Sequence, residues 1–274
     1  NRCLVGSEMC IRDRCGTGRQ GRTTGLVMEF DSSFLPVLII TLAAFFSSMV
    51  TAIVGAGGGT ALLLLMLYMV PAGNVVAVHG CIQLVSNFAR VAMFWRHMHW
   101  PVIVRFVIPM PAGVYLGLQI YEMMDHDGLQ LVIASFVLLS LVIRPPSSPE
   151  ARGLPKGIYY VTGFFIGAAN IIVGVLSPIL GAILRLERLP KEQLVGTLGF
   201  FGFAGNVFKI AGFAFVGFAF APYAVMVACA SLATIAGTYA GKRLLAGISS
   251  RTFTIAFQIM LGAMATRLIW TALF

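Results

Sequence analysis

The chain has 274 residues, of which 58% are hydrophobic and 11% charged, with a formal net charge of +9. A soluble domain carries about one quarter charged residues, so this composition excludes a soluble core, and no nucleic-acid partner is expected. Apolar runs of about 20 residues between short polar breaks point to membrane-spanning helices, and the ten-residue alternation of a transmembrane barrel is absent.

Residues 1–27 stand apart from the rest. They are polar and aperiodic, hold three of the five cysteines, and lack the apolar core of a signal peptide. They resemble a translated sequencing adaptor joined to a true start at Met28, with a disordered basic tail as the alternative, and both readings set them aside. The remainder carries 14 basic and 8 acidic residues. Cys81 and Cys229 lie far apart in apolar runs, where unpaired cysteine acts as a small hydrophobe.

Asp31-Ser32-Ser33 is a fitting N-cap for the first of five apolar segments, expected at 34–54, 58–70, 74–95, 101–121 and 128–143. These make a first transmembrane repeat over 28–143. A linker over 144–156, opened by Arg144-Pro145-Pro146, leads to a second repeat over 157–274. Its segments are expected at 157–173, 178–186, 193–218, 221–239 and 252–274. The halves share a pattern at an offset of 119. Ile53-Val54-Gly55 returns as Ile172-Val173-Gly174, Pro71 as Pro190 and Asn87 as Asn206, and Arg90 keeps its charge in Lys209. Gly113-Val114-Tyr115-Leu116-Gly117 matches Gly237-Thr238-Tyr239-Ala240-Gly241 at a slightly larger offset. Such self-similarity reads as an internal duplication.

The second segment of each half is too short to cross about 30 Å comfortably at about 1.5 Å per residue, and it follows a glycine-rich or Gly/Pro break. Interrupted segments at matching places in two halves are the best sequence pointer to a transporter binding site. Basic residues follow segments three and five of the first half (Arg96, then Arg144, Arg152 and Lys156). In the second half they follow segments two and four (Arg185, Arg188 and Lys191, then Lys242, Arg243 and Arg251). The loop after segment four of the first half is acidic, with Glu122, Asp125 and Asp127. With basic loops at the cytoplasm, equivalent loops lie on opposite faces. The expected fold is therefore all-α and polytopic, with two inverted repeats of about five segments, 8–10 spans, and both termini outside. Eight spans in parallel repeats remain if the short segments only dip into the bilayer.

His79, Gln83, Asn87 and Arg90 fall within about 80° of arc on one helix face. Ionisable groups at membrane depth generally face a cavity or a partner. Arg90 suits an oxyanion through its planar donors, Gln83 and Asn87 offer neutral donors, and His79 is the candidate for proton coupling. The bland alternative has these groups satisfy one another while Arg90 snorkels. Asn206 and Lys209 are their second-half counterparts. Gly57, Gly58 and Gly59 with Thr60 either pack helices or bring bare amides to an anion, and Ser177 beside Pro178 takes the corresponding place. His97, His99 and Trp100 read as an interfacial belt, and Tyr115 as a packing position or cavity wall.

At the glycine cluster, the His79/Gln83/Asn87/Arg90 face and the duplicated plan, the chain resembles the TauE/SafE family of sulfite and organosulfonate permeases over 34–274. The resemblance implies movement of small sulfur-containing anions or carboxylates, coupled to protons, in either direction. Gly174-Val175-Leu176-Ser177-Pro178 in place of a triple glycine makes the half-sites unequal. The leading reading is a secondary active transporter working by alternating access in a prokaryotic plasma membrane. No cofactor, metal or catalytic residue is expected, and a homodimer is open. An anion channel or carboxylate transporter uses the same face, a structural subunit of a larger complex is also open, and an intramembrane enzyme lacks its usual motifs.

Overall fold

The computed structural model describes residues 34–54, 57–142, 155–175, 177–185, 187, 189–244 and 250–273. The leader 1–27, the Asp31-Ser32-Ser33 cap, Gly55 and most of the linker lie outside them. Everything regular within them is helical. The first half contains α1 (Phe34–Val54), α2 (Gly58–Met66), α3 (Ala72–Phe94), α4 (Trp100–Val107), α5 (Met110–Glu122) and α6 (His126–Val142). The second contains α7 (Ile158–Val173), α8 (Ser177–Arg185), α9 (Lys191–Phe215), α10 (Ala224–Leu244) and α11 (Ser250–Leu273).

Four windows among the described residues are long and apolar enough to cross a bilayer: Phe34–Thr51, Ala72–His97, Glu192–Phe215 and Ala221–Gly241. The pair α4 and α5 adds a fifth, bent by 41°. The segment expected as one span over 101–121 is thus broken, because Pro109 has no N–H to give and its ring crowds the preceding turn. The other expected spans include shorter apolar helices, α6, α7 and Leu261–Leu273. The outer surface is apolar, with Phe34, Phe46, Phe165, Leu232 and Trp270 exposed, as lipid requires. This is a polytopic helical membrane protein.

The breaks have local causes. Gly174 ends α7 at φ 80, in the left-handed region that glycine tolerates, and its N–H reaches the Asn170 carbonyl at 3.1 Å. Gly217 at φ 82 ends α9, where the Phe218 N–H donates to the Phe213 carbonyl at 2.9 Å. Asp125 caps α6 by accepting the Gly128 N–H at 2.9 Å. Charge separates by end. Glu122, Asp125 and Asp127 are exposed where α5 meets α6, and Arg96, Lys156 and Arg243 are exposed at the opposite ends of their helices.

Helix contacts recur at the sequence offset. Along α3 and α9 the numbering runs in opposite directions, with Gly80 against Lys209, Asn87 against Gly202 and Arg90 against Gly199, so the two helices are antiparallel. Shifting Gly80 and Lys209 by 119 gives Gly199 and Arg90, which form the other contact. A Cβ at Gly80 would lie 2.9 Å from Lys209 Cδ, and one at Gly199 3.1 Å from Arg90 Cβ. Likewise Gly113 of α5 rests on the Phe164 carbonyl of α7, while Gly237 of α10 rests on the Phe45 carbonyl of α1. Phe45 and Phe164 are 119 apart. With no hydrophobic drive between helices in lipid, close approach at small residues supplies the packing. Tyr115 and Tyr239, between these glycines, point outward at 63% and 58% exposure, so Tyr115 is neither buried packing nor cavity wall.

Gly113→Ala and Gly237→Ala should each lower thermal stability in detergent, by about 1–3 kcal/mol if the helices part without repacking. Gly73→Ala, with nothing within 4 Å of its added methyl, should be neutral or mildly stabilising. Equal melting of all three variants would contradict packing through these glycines.

Candidate functional site

The inner helices α3 and α9 approach closely because α9 carries glycine at 196, 199, 202 and 205, one every third residue. Larger α3 side chains seat on that stripe. Asn87 lies against Gly202, where a Cβ would be 2.6 Å from the amide nitrogen, and Phe94 lies against Gly196. The pair therefore brings the polar face of α3 against Asn206 and Lys209 of α9.

Beside this pair, under the end of α7, lies a cavity of about 40 Å³. Its polar wall is His79, Gln83, Asn87, Asn170 and Asn206, and its apolar wall includes Met110, Ile166, Leu180 and Phe201. Gly174, Val175, Gly202 and Gly205 complete it, and no carboxylate is among the lining residues. A water needs about 10–15 Å³ on this measure, so the space suits a species of about four heavy atoms.

His79 is 1% exposed, and its Nε2 lies 2.9 Å from the Gly59 carbonyl oxygen. A carbonyl only accepts, so Nε2 carries the hydrogen, and in the neutral ring Nδ1 is a bare acceptor. Nδ1 is buried with no partner among the described residues. Lys209 is fully buried, and its Nζ donates to the Gly174 carbonyl at 2.8 Å. The end of α7 and the first turn of α2 are thus each tied to the long inner helix of their own half. Asn170 Nδ2 donates to the Gly205 carbonyl at 3.1 Å, which leaves its amide oxygen to accept.

Of the residues expected to bind substrate, His79, Gln83, Asn87 and Asn206 share the cavity wall. Gly57, Gly58, Gly59, Thr60, Arg90 and Lys209 do not line it. Gly58 seats on the Ser47 carbonyl and Thr51 of α1, and Gly59 on the Gln83 amide, so these glycines pack in this structure. Gly57, at φ 98, turns the chain into α2. Arg90 is half-buried against Gly199, and Lys209 sits one layer behind Gly174. The Ser177 side chain lies outside the described residues. Sequence reasoning passed over Asn170, although an amide in the last turn of an apolar helix, four residues before Gly174, was a readable signal. The glycine stripe of α9 was a second one.

Over residues 40–268 the chain matches the family model described as sulfite exporter TauE/SafE. No match was found among the curated proteins or the solved structures compared with it. The matched span takes in both breaks, both inner helices and every residue of the cavity wall, and the chain therefore belongs to the TauE/SafE family of membrane transporters.

Proposed function

We propose that this chain is a secondary transporter for a small oxyanion, with sulfite the best fit, and that it works by alternating access between two inverted repeats. The observation that carries this reading is the cavity. It is small, free of carboxylates in its wall, rich in amide groups, and backed by the buried Lys209 ammonium. Positive charge and neutral donors at membrane depth favour an anion, since donors left bare there are costly. A volume of about 40 Å³ favours sulfite over an aryl sulfonate, which is more than twice its heavy-atom count. The antiparallel α3–α9 contact and the recurring Gly113/Phe164 and Gly237/Phe45 contacts support inverted rather than parallel repeats.

Asn87 and Asn206, an offset of 119 apart, are the direct ligands in this reading, with Gln83 beside them. Lys209 supplies charge through the Gly174 peptide rather than by touching the anion, and Arg90 acts from outside the wall. His79 is the proton carrier. Its residue lines the polar cavity, its Nδ1 is buried without a partner among the described residues, and no Asp or Glu competes for that role on the wall. The setting we infer is a prokaryotic plasma membrane.

Sulfite at about 100 times its dissociation constant should stabilise the purified protein by about 2.7 kcal/mol in a thermal-shift titration, whereas benzenesulfonate should not. Asn87→Ala and Asn206→Ala, each removing a hydrogen bond to an anion worth about 1.5–3 kcal/mol, should weaken sulfite binding about tenfold or more. An undiminished shift in both variants would remove the anion from this cavity. His79→Gln retains a donor for the Gly59 carbonyl. In vesicles carrying a pH-sensitive dye it should still pass sulfite but lose sulfite-driven proton movement, and retained proton movement would exclude His79 as carrier.

A further inference from the structure

The two halves differ at the short helices. In the second half the cavity occupies the space between α7 and α8, with Ile166 and Asn170 of α7 and Leu180 of α8 on its wall. At an offset of 119 these correspond to Ser47 and Thr51 of α1 and Ala61 of α2. There the space is closed. A Cβ on Gly58 would collide with the Ser47 carbonyl oxygen and with Thr51 Oγ1, and α2 is buried from Thr60 through Leu64. Gly181 of α8, the counterpart of buried Leu62, faces open space instead.

The centre of the wall has a different property. Gln83 corresponds to Gly202, and Asn87 to Asn206, and all four line the cavity. This set maps onto itself when the halves are exchanged. The outer wall does not, because Ile166 and Asn170 exchange for two hydroxyl residues, and His79 exchanges for Leu198. α2 carries a further polar atom. Thr60 is 3% exposed, and its Oγ1 is buried without a partner among the described residues. A hydroxyl orphaned at membrane depth is costly unless another state satisfies it.

We infer that the chain holds a second pocket for the same small oxyanion, collapsed in this structure, between α1 and α2. Ser47 and Thr51 are on its wall, and it shares Gln83, Asn87 and Asn206 with the open cavity. This rests on the transporter reading. Opening it requires α2 to leave Ser47 and Thr51 while α8 closes onto Ile166 and Asn170, an exchange of the two halves' present arrangements. Antiparallel repeats exchange the membrane faces, so the two pockets open to opposite sides. The anion stays at the shared amides while the outer walls trade.

The test places cysteines at Ser47 and Ile166, one at a time, in the full chain with the five native cysteines replaced by serine. A membrane-impermeant anionic methanethiosulfonate is then applied from each face of oriented vesicles. Ser47→Cys should be modified from one face only and Ile166→Cys from the other only, each losing modification in saturating sulfite. Gly58→Ala, whose methyl group wedges α2 from α1, should raise modification of Ser47→Cys and lower that of Ile166→Cys. The pair Thr51→Cys and Asn170→Cys reads the same spaces if either first variant fails to fold. Modification of both positions from the same face, or none at Ser47→Cys and Thr51→Cys in folded protein, would overturn the second pocket. Opposite-face modification without sulfite protection would overturn the oxyanion as its occupant, and the transporter reading's substrate with it, while leaving the pocket itself in place.

Discussion

A helix broken inside a bilayer frees backbone groups that lipid cannot satisfy, and the protein must supply their partners. Here a side chain from α9 takes a carbonyl freed at the end of α7, and one from α3 ties down the first turn of α2. The Lys209 ammonium takes the Gly174 carbonyl at 2.8 Å, and the His79 imidazole takes the Gly59 carbonyl at 2.9 Å. One bond fixes the end of α7 against α9, and the other fixes the start of α2 against α3. Because α3 and α9 pack on each other through the glycine stripe, both are fixed to one rigid pair. The cavity is the space left beside that pair. In the transporter reading, the fully buried Lys209 ammonium, whose Nζ donates to the Gly174 carbonyl, leaves positive potential for an anion to meet.

The duplicated sequence explains why the centre of the site and its rim behave differently. Asn87 and Asn206 are counterparts that line one cavity together, because residues near the crossing of α3 and α9 meet their own images. Residues farther from the crossing meet unlike partners, as the charged positions show. Arg90 and Lys209 are counterparts with matching glycine contacts, yet Lys209 is fully buried and Arg90 is half-buried. A single amide pair can therefore serve both states of a transporter, while the groups around it distinguish one face from the other. In the transporter reading, specificity belongs to the crossing and asymmetry to the rim, where His79 has Leu198 for its counterpart.

Much of this was legible in the chain. Hydropathy gave the class, and the 119-residue offset located both short helices, which have nine residues each and start at Gly58 and Ser177. The polar face of α3 was legible because period and polarity coincide on one helix. Three of its four residues reach the cavity, and Arg90 does not, because the wall covers only about the length of two turns and Arg90 lies one turn further along. The glycine cluster packs in this structure instead of lining the cavity, for a physical reason. Bare backbone serves equally for approach to an anion and for approach to another helix, and in this structure Gly58 meets Ser47 and Thr51. The bend between α4 and α5 was foreshadowed by Pro109 and Pro111 but hidden by a predominantly apolar run. Asn170 was missed because it stands alone on α7, and only folding brings it opposite Gln83, Asn87 and Asn206.

The most direct test of the account separates the charge of Lys209 from its bond to the break. The measurement is uptake of radiolabelled sulfite into proteoliposomes by the wild-type chain, Lys209→Arg and Lys209→Met, each checked for folding. The account predicts that the arginine variant, which keeps a cation and a donor, retains measurable uptake, and that the methionine variant loses it. Equal uptake by all three would show that the buried cation does not draw the anion, and would contradict the account at its centre.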